Sequence, residues 1–562
     1  MEYDLKITNG TIVDGTGAPP ARGDVGIRGG QIAALGTVNG RARDRIDAAG
    51  RVVAPGFVDL HTHYDAQVLW DRMLTISPWH GVTTVVIGNC GFGVAPTRPA
   101  HRELILRTLE KVEGMSFEAL QAGVGTDWPF ETFPQYLDAI ERRGMAINVA
   151  AFIGHTPLRL YVMGDEASDR PATDAETAQM RTLVAQALDA GAVGFATSKA
   201  PTHVGYAGKP VPSRSAELAE VRTIAGALGE AGRGTLQATV GPGLFFDEFA
   251  ELSRDTGRPV TWTALLAGML GPGSHRMLLD RAADLVRQGL TIVPQVSCRP
   301  LNFDFDLREP FAFEALPLFQ PVSAADAVGK MRIYRDPAFR QALKDTFASP
   351  MAGPFAYCAD RIWVSSYPPD RTLEEQSLDA LARHRGADPV DVMLDLALES
   401  NLAARFRMAL LNFDEDAVAE LLTDANTVLG LSDAGAHASQ LCDACFSTHL
   451  LGHWVREKGT LSLENAVRML TSRPAEVVGI TDRGRLAVGA PADVVVFDPD
   501  TVGAGPLRRV NDQPAGAERL VADAIGVDAV IVNGTVIRRS GSDAVDAAGP
   551  LPGRLLRGGR AA

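Results

Sequence analysis

The run Pro55-Gly56-Phe57-Val58-Asp59-Leu60-His61-Thr62-His63 carries an apolar segment into two histidines one residue apart. On a strand, residues i and i+2 face the same side, so both imidazoles point one way. Two such rings at a strand end suit a Zn²⁺-like ion. The competing reading, two surface histidines in a turn, fits poorly after an apolar strand. A second apolar run, Val428-Leu429-Gly430-Leu431-Ser432, stops at Asp433. A carboxylate there could bind a metal and act as a general base; it could equally cap a helix. The tract 199–214 holds Lys199, Lys209 and Arg214, which suits an anionic group. His203 lies inside it as a loop histidine within reach of substrate or water. Cys442 and Cys445 form a C-x-x-C with no second pair for a zinc ribbon. His449 and His453, four apart, share a helix face and read as surface.

Chemistry at strand ends needs a scaffold that gathers strand ends. Between about residues 56 and 300, strand-like runs (Thr83–Ile87, Ile147–Ile153, Ala192–Ala196, Leu236–Val240, Val260–Leu265 and Leu290–Val296) alternate with helical patterns. In 176–189, Met180, Leu183, Val184, Ala187 and Leu188 recur at helical spacing and define one apolar face. Adding the strand before His61 and the one at Thr427–Ser432 gives eight. The expected fold class is therefore α/β, a (β/α)8 TIM-like barrel. Residues 4–54 and 485–538 read as short strands with turns, and the two ends could meet as one small β-sandwich. The expected division is 1–56 with 480–545 as sandwich and 57–300 with 427–479 as barrel. Residues 301–426, too long for a βα loop, are expected to be an inserted lid subdomain. Residues 546–562, rich in Gly and Arg, read as a frayed tail.

Composition removes several classes. Lys+Arg is 54 against 68 Asp+Glu, a net charge of −14, which argues against nucleic acid as a partner. There is no run of 18 apolar residues and no basic, then apolar, leader, so neither a membrane span nor a signal peptide is expected. Five scattered cysteines do not form a disulfide framework, and the expected compartment is the reducing cytoplasm. A small-molecule substrate is the expected partner; a homo-oligomer is compatible with the sequence.

The segment PGFVDLHTH, taken with the β-rich ends, resembles the amidohydrolase superfamily. GVTTVVIGNCGFGVAP (81–96) and Ile153-Gly154-His155-Thr156-Pro157-Leu158-Arg159 are similar to its D-aminoacylase (N-acyl-D-amino-acid deacylase) family. Gly484-Arg485-Leu486 and Gly489–Val495 resemble that superfamily's return into the sandwich. The resemblance implies that His61 and His63 are first-strand metal ligands and Cys90 the second-strand thiolate. It makes Asp433 the last-strand carboxylate that binds metal and shuttles protons. For Cys90 the other reading is a small buried hydrophobe. The family also places one histidine at the end of the fifth strand and one at the sixth. Here Leu236–Gly241 and Val260–Leu265 contain none, and threonine or alanine does not replace imidazole as a tight ligand.

Lys199 falls where some amidohydrolases carry a carboxylated, metal-bridging lysine; its alternative is a substrate carboxylate. The resemblance sets His155 and Arg159 beside the pocket, His155 polarising a carbonyl, with packing as the alternative. The cofactor expected is a divalent ion of the Zn²⁺ kind, one rather than two, on His61, His63, Asp433 and one of Cys90, Lys199 or His203. The expected activity is hydrolysis of a non-peptide C–N bond, deacylating an N-acyl-D-amino acid with Asp433 as proton shuttle. The alternatives are a one-metal hydrolase of a cyclic amide, lactone or other acyl compound, and a metal-free small-molecule binder.

Overall fold

The structure is a computed structural model that describes residues 2–310, 313, 316–349, 355 and 358–561. The other positions of the expected insertion lie outside the described residues.

Eight parallel strands run in chain order around one sheet: Phe57–Asp59, Val82–Ile87, Asn148–Gly154, Gly194–Ser198, Thr235–Thr239, Val260–Thr263, Ile292–Val296 and Val428–Leu429. The first and eighth strands meet just beyond their ends, where Thr62 bridges Ala434 and the His63 N–H donates to the Ala434 carbonyl at 2.7 Å. Every residue in these strands is buried, as expected where helices cover one face and the barrel interior the other. Val58, Val86, Ala150, Phe152, Ala196, Val293 and Val428 form one apolar cluster with Val477, Val478, Ile480 and Leu556. The first set is the barrel interior, and the second closes its floor.

The helix expected at 176–189 spans Asp174–Ala190. Thr173 and Glu176 form a reciprocal capping box, and left-handed Gly191 ends it. Met180, Val184, Ala187 and Leu188 are its buried face, with Leu183 partly buried beside them.

Both chain ends enter one nine-stranded sheet. Its seam is Val52–Pro55 paired antiparallel with Val494–Phe497, so the last N-terminal strand before the barrel lies against the first strand after it. Leu5, Ile7, Val25, Ile27, Val53, Val494, Val496 and Ile531 pack as its separate core.

Residues 301–411 contribute a three-stranded antiparallel sheet (Leu301–Asp306, Ile362–Ser366, Arg405–Leu411) with helices that include Ala327–Arg335, Pro337–Phe347, Leu378–Arg385 and Pro389–Glu399. Phe305, Phe319, Tyr334, Leu394 and Phe406 give this unit its own core. The next helix, Glu415–Thr423, packs instead into the barrel's outer cluster through Ala417, Val418, Leu421 and Leu422. The insertion docks on the loop that follows Asp433: the Asp304 N–H donates to the Gln440 carbonyl at 2.8 Å.

The frayed tail is overturned. Leu555 and Leu556 are buried, the Val149 N–H donates to the Arg554 carbonyl at 3.0 Å, and Leu556–Arg557 pairs with Arg560–Ala561. Arg557 bonds Asp138 at 2.7 Å and Glu141 at 2.8 Å. Leu556 joins the cluster that closes the barrel floor, and Leu555 packs into the outer one. No helix among the described residues is long and apolar enough to cross a membrane.

Candidate metal centre

The strand ends bring His61, His63 and Cys90 together, with one donor atom from each within 4.8 Å of the others. Cys90 Sγ lies 3.4 Å from His61 Nε2. Asp433 Oδ1 lies 3.3 Å from His61 Nε2 and 3.7 Å from His63 Nε2. Two imidazoles, a thiol and a carboxylate thus converge from the first, second and eighth strands.

Each donor is held by a partner behind it. His61 Nδ1 is 2.6 Å from Gln295 Oε1, an acceptor only, so Nδ1 carries the proton and Nε2 keeps its lone pair. Gln295 is fixed in turn by donating to Thr261 Oγ1 at 3.2 Å. Behind His63, Nδ1 lies 3.2 Å from Glu113 Oε1, at an angle that makes the contact an ion pair rather than a hydrogen bond. Glu113 ends the helix Arg102–Glu113 and is buried. Such carboxylate–histidine pairs orient metal ligands and raise their basicity.

The segment Gly88-Asn89-Cys90-Gly91 explains the GNCGFG sequence. Cys90 itself has φ 55°, a left-handed conformation unusual for a non-glycine residue. It is held there by its N–H, which donates to Gln237 Oε1 at 2.7 Å. Asn89 Nδ2 clamps the loop to the carbonyls of Leu60, Thr62 and Val86. Gly88 has φ +83°, and a Cβ there would stand 2.3 Å from the Phe152 carbonyl oxygen. Leu431, Asp433 and His437 also have positive φ, so strained backbone clusters on both sides of the centre.

The electrostatics show a site short of positive charge. Burial opposes ionisation of the Cys90 thiol, yet the facing His61 and His63 pull it down to about 6. Burial likewise resists ionisation of Asp433, but the facing His63 and His61 hold it below the usual carboxylate range. His63 shows the converse: burial would lower it, while Glu113, Asp433 and Cys90 drive it well up. His61 is also raised against its burial by Cys90 and Asp433. The imidazoles thus take up protons because three anionic groups surround them, and a divalent cation neutralises the same groups. The donor set, two nitrogens, one sulfur and one oxygen, fits a borderline-soft ion such as Zn²⁺. Asp59, buried under the site, accepts from the His61 N–H at 3.2 Å and from Ser432 Oγ at 2.5 Å; burial pushes its carboxyl up to about 7.

The fifth and sixth strands end in Thr239 and Thr263, whose hydroxyls meet at 3.2 Å. Neither strand carries a histidine at its end, and neutral hydroxyls are weak ligands for such an ion.

Three expected site residues are placed elsewhere. On the fourth strand, Ala196 belongs to the interior cluster, so Ser198 faces inward while Lys199, one residue on, faces out. Lys199 Nζ donates to the carbonyls of Arg214, at 2.7 Å, and Ala216. It ties down a loop rather than bridging metals or reaching into the barrel mouth. His155 is fully buried, with Nδ1 2.8 Å from Thr197 Oγ1 and Nε2 2.9 Å from Glu220 Oε1. Arg159 is also fully buried and bonds Glu220 and the carbonyls of Ala167 and Arg170. Both correct to packing: neither has a free donor for substrate. His203 stays at the inner rim, its Nδ1 2.6 Å from Ser198 Oγ and its ring 4.9 Å from that of Phe92.

Sequence reasoning missed Glu113, Gln237 and Gln295. A glutamine inside an apolar strand was a usable signal for the last two. Glu113 sits at the end of an ordinary amphipathic helix and gave none.

The sequence profile of the amidohydrolase family matches residues 44–538. The chain belongs to the amidohydrolase family. It is a hydrolase of carbon–nitrogen bonds other than peptide bonds. Over 567 aligned residues it is 32% identical to the N-acyl-D-glutamate deacylase of Alcaligenes xylosoxydans xylosoxydans, covering 99% of this chain and 97% of that one. The D-aminoacylase of the same organism is 31% identical over 538 residues, 95% of this chain and 94% of the other. Among solved structures, the N-acyl-D-glutamate deacylase of Bordetella bronchiseptica, complexed with zinc and a phosphonate that mimics the tetrahedral intermediate, is 29% identical. It aligns with a TM-score of 0.66 over 99% of this chain and 100% of the other. A D-aminoacylase with a binuclear metal centre aligns at 0.67 and 27% identity over 99% of this chain and 100% of the other. The amidohydrolase fold expected from the sequence is the fold found.

Proposed function

We propose that this amidohydrolase removes the acyl group from N-acyl-D-amino acids with a single divalent ion, of the Zn²⁺ kind, held by His61, His63, Cys90 and Asp433. The observation that carries the reading is the convergence of those four donors opposite Thr239 and Thr263, which leave no second nitrogen-rich site. The similarity to deacylases of N-acyl-D-glutamate and N-acyl-D-aspartate supports the substrate class.

When bound, the ion supplies Lewis acidity toward the amide carbonyl and lowers the pKa of its water. The chain does the rest. Gln295 keeps the His61 ring in the tautomer that presents Nε2, and the Glu113 carboxylate stands against Nδ1 of His63. Among the four donors Asp433 is the one open to solvent, its side chain 26% exposed against 1% for His61 and 5% for His63. Its carboxylate takes a proton from the attacking water and delivers it to the departing amine nitrogen. His61, His63 and Cys90, sealed from solvent, fix geometry and do not shuttle protons.

The test is turnover of N-acetyl-D-amino acids, their L counterparts, hydantoins and lactones by the metal-loaded protein. Selective release of the D-amino acids supports the reading. Turnover confined to lactones or cyclic amides refutes the substrate class.

A further inference from the structure

The rim of the barrel beside the metal ligands is built from Ser198, Thr239 and Thr263, which are register partners on neighbouring strands. The Thr239 and Thr263 hydroxyls meet there at 3.2 Å. His203 sits over this sector. Its Nδ1 is 2.6 Å from Ser198 Oγ, and Ser198 Oγ already accepts the Ala200 N–H at 3.2 Å. A hydroxyl that accepts from a backbone N–H is free to donate its own proton to the imidazole. Where Nδ1 is the acceptor of that proton, the ring's own proton lies on Nε2. That nitrogen has no hydrogen-bond partner among the described residues. The Phe92 ring fixes the imidazole plane from one side, 4.9 Å from His203 and 6.2 Å from His63. The loop is anchored too: the His203 N–H donates to the Ala200 carbonyl, and its own carbonyl accepts from Arg214 Nη1 at 3.1 Å.

We infer that His203 is a further catalytic residue: its Nε2–H donates a hydrogen bond to the acyl carbonyl oxygen as that oxygen gains negative charge. The proton stays on nitrogen throughout. A neutral donor is what this position needs, because an imidazolium would give its proton up to the oxygen instead of holding it. The surroundings keep it neutral. Burial pushes His203 down to about 3, with His63, His437 and Arg214 adding to the effect and only Asp433 opposing it. His155, expected for this role, is locked behind Thr197 and Glu220.

The inference rests on the deacylase reading, so its test has one arm that needs no substrate. In the metal-loaded protein labelled with ¹⁵N-histidine, the signal that disappears in His203→Ala identifies this residue. A neutral Nε2–H tautomer that persists from pH 8 to about 5, below the ordinary histidine range, is the expected result. An Nδ1–H tautomer or an imidazolium at pH 7 overturns the proposal. The second arm is kinetic, on whichever acyl compound the wild type turns over. His203→Ala should lose about 10²–10³-fold in kcat, the usual loss for one oxyanion donor. KM should change little, and metal content and melting temperature should match the wild type. His203→Gln, which returns an N–H near the Nε2 position, should recover part of the loss. Loss of metal in His203→Ala would make it a ligand, and an effect on KM alone would make it a ground-state contact. Either result, or an unchanged kcat, overturns the proposal. Failure of the substrate reading shows separately, as a wild type inactive on N-acyl-D-amino acids.

Discussion

Replacing Glu113 tests whether the centre depends on the residue behind its ligand. Its Oε1 stands 3.2 Å from His63 Nδ1, and both side chains are almost sealed from water, 6% and 5% exposed. Loss of such a partner typically weakens metal binding 10–100-fold, about 1.4–2.7 kcal/mol. Glu113→Gln keeps the shape of the side chain but removes its charge, so it should fall at the lower end. Glu113→Ala removes the side chain as well as its charge, so it should fall at the upper end. The predicted order of metal affinity is wild type, then Gln, then Ala, read by competition with a chelator of known affinity at pH 7.5. Activity at saturating metal should change far less than affinity, because Glu113 touches no reacting atom. A pH signature accompanies it. Glu113 helps raise His63, so the ion must displace a proton there, and affinity should rise with pH through that titration. In Glu113→Gln the rise should shift to lower pH. Equal affinities for all three proteins, or an alanine variant that binds as tightly as wild type, would refute the reasoning.

Asp433→Asn should abolish turnover while the protein stays folded, since the amide cannot take the proton; residual activity near wild type would contradict the shuttle. Glu220→Ala should lower stability by about 3–5 kcal/mol, because it leaves Arg159 buried without its anion. Burial opposes ionisation of Glu220, but His155 and Arg159 depress it to about 2, so its stabilisation is complete above 4.5 and fades as pH falls toward 2. Acid melts of wild type and variant should converge in that window. Leu556→Ala, which opens the barrel floor, should cost about 2–5 kcal/mol in a denaturant titration.

The barrel was legible because parallel strands buried on both faces read as apolar runs at regular spacing, and the His-x-His and Asp433 sat where two runs stop. Cys90 was legible only through the GNCGFG pattern, since its placement depends on a left-handed turn that composition does not reveal. Lys199 was misread because one residue of strand register turns a side chain from the barrel mouth to the helical layer. His155 and Arg159 were misread because their partner, Glu220, lies more than sixty residues away in an ordinary helix. The tail was misread because composition hid Leu555 and Leu556. In each case the missing information was a long-range pairing rather than a local preference.

In the proposed function one ion, on the four donors from the first, second and eighth strands, carries the hydrolysis. Titrating Zn²⁺ into chelated protein while measuring release of D-amino acid tests it directly. Activity should rise linearly to one equivalent per chain and then stop rising. A break at two equivalents, or activity indifferent to added and removed metal, would contradict the account.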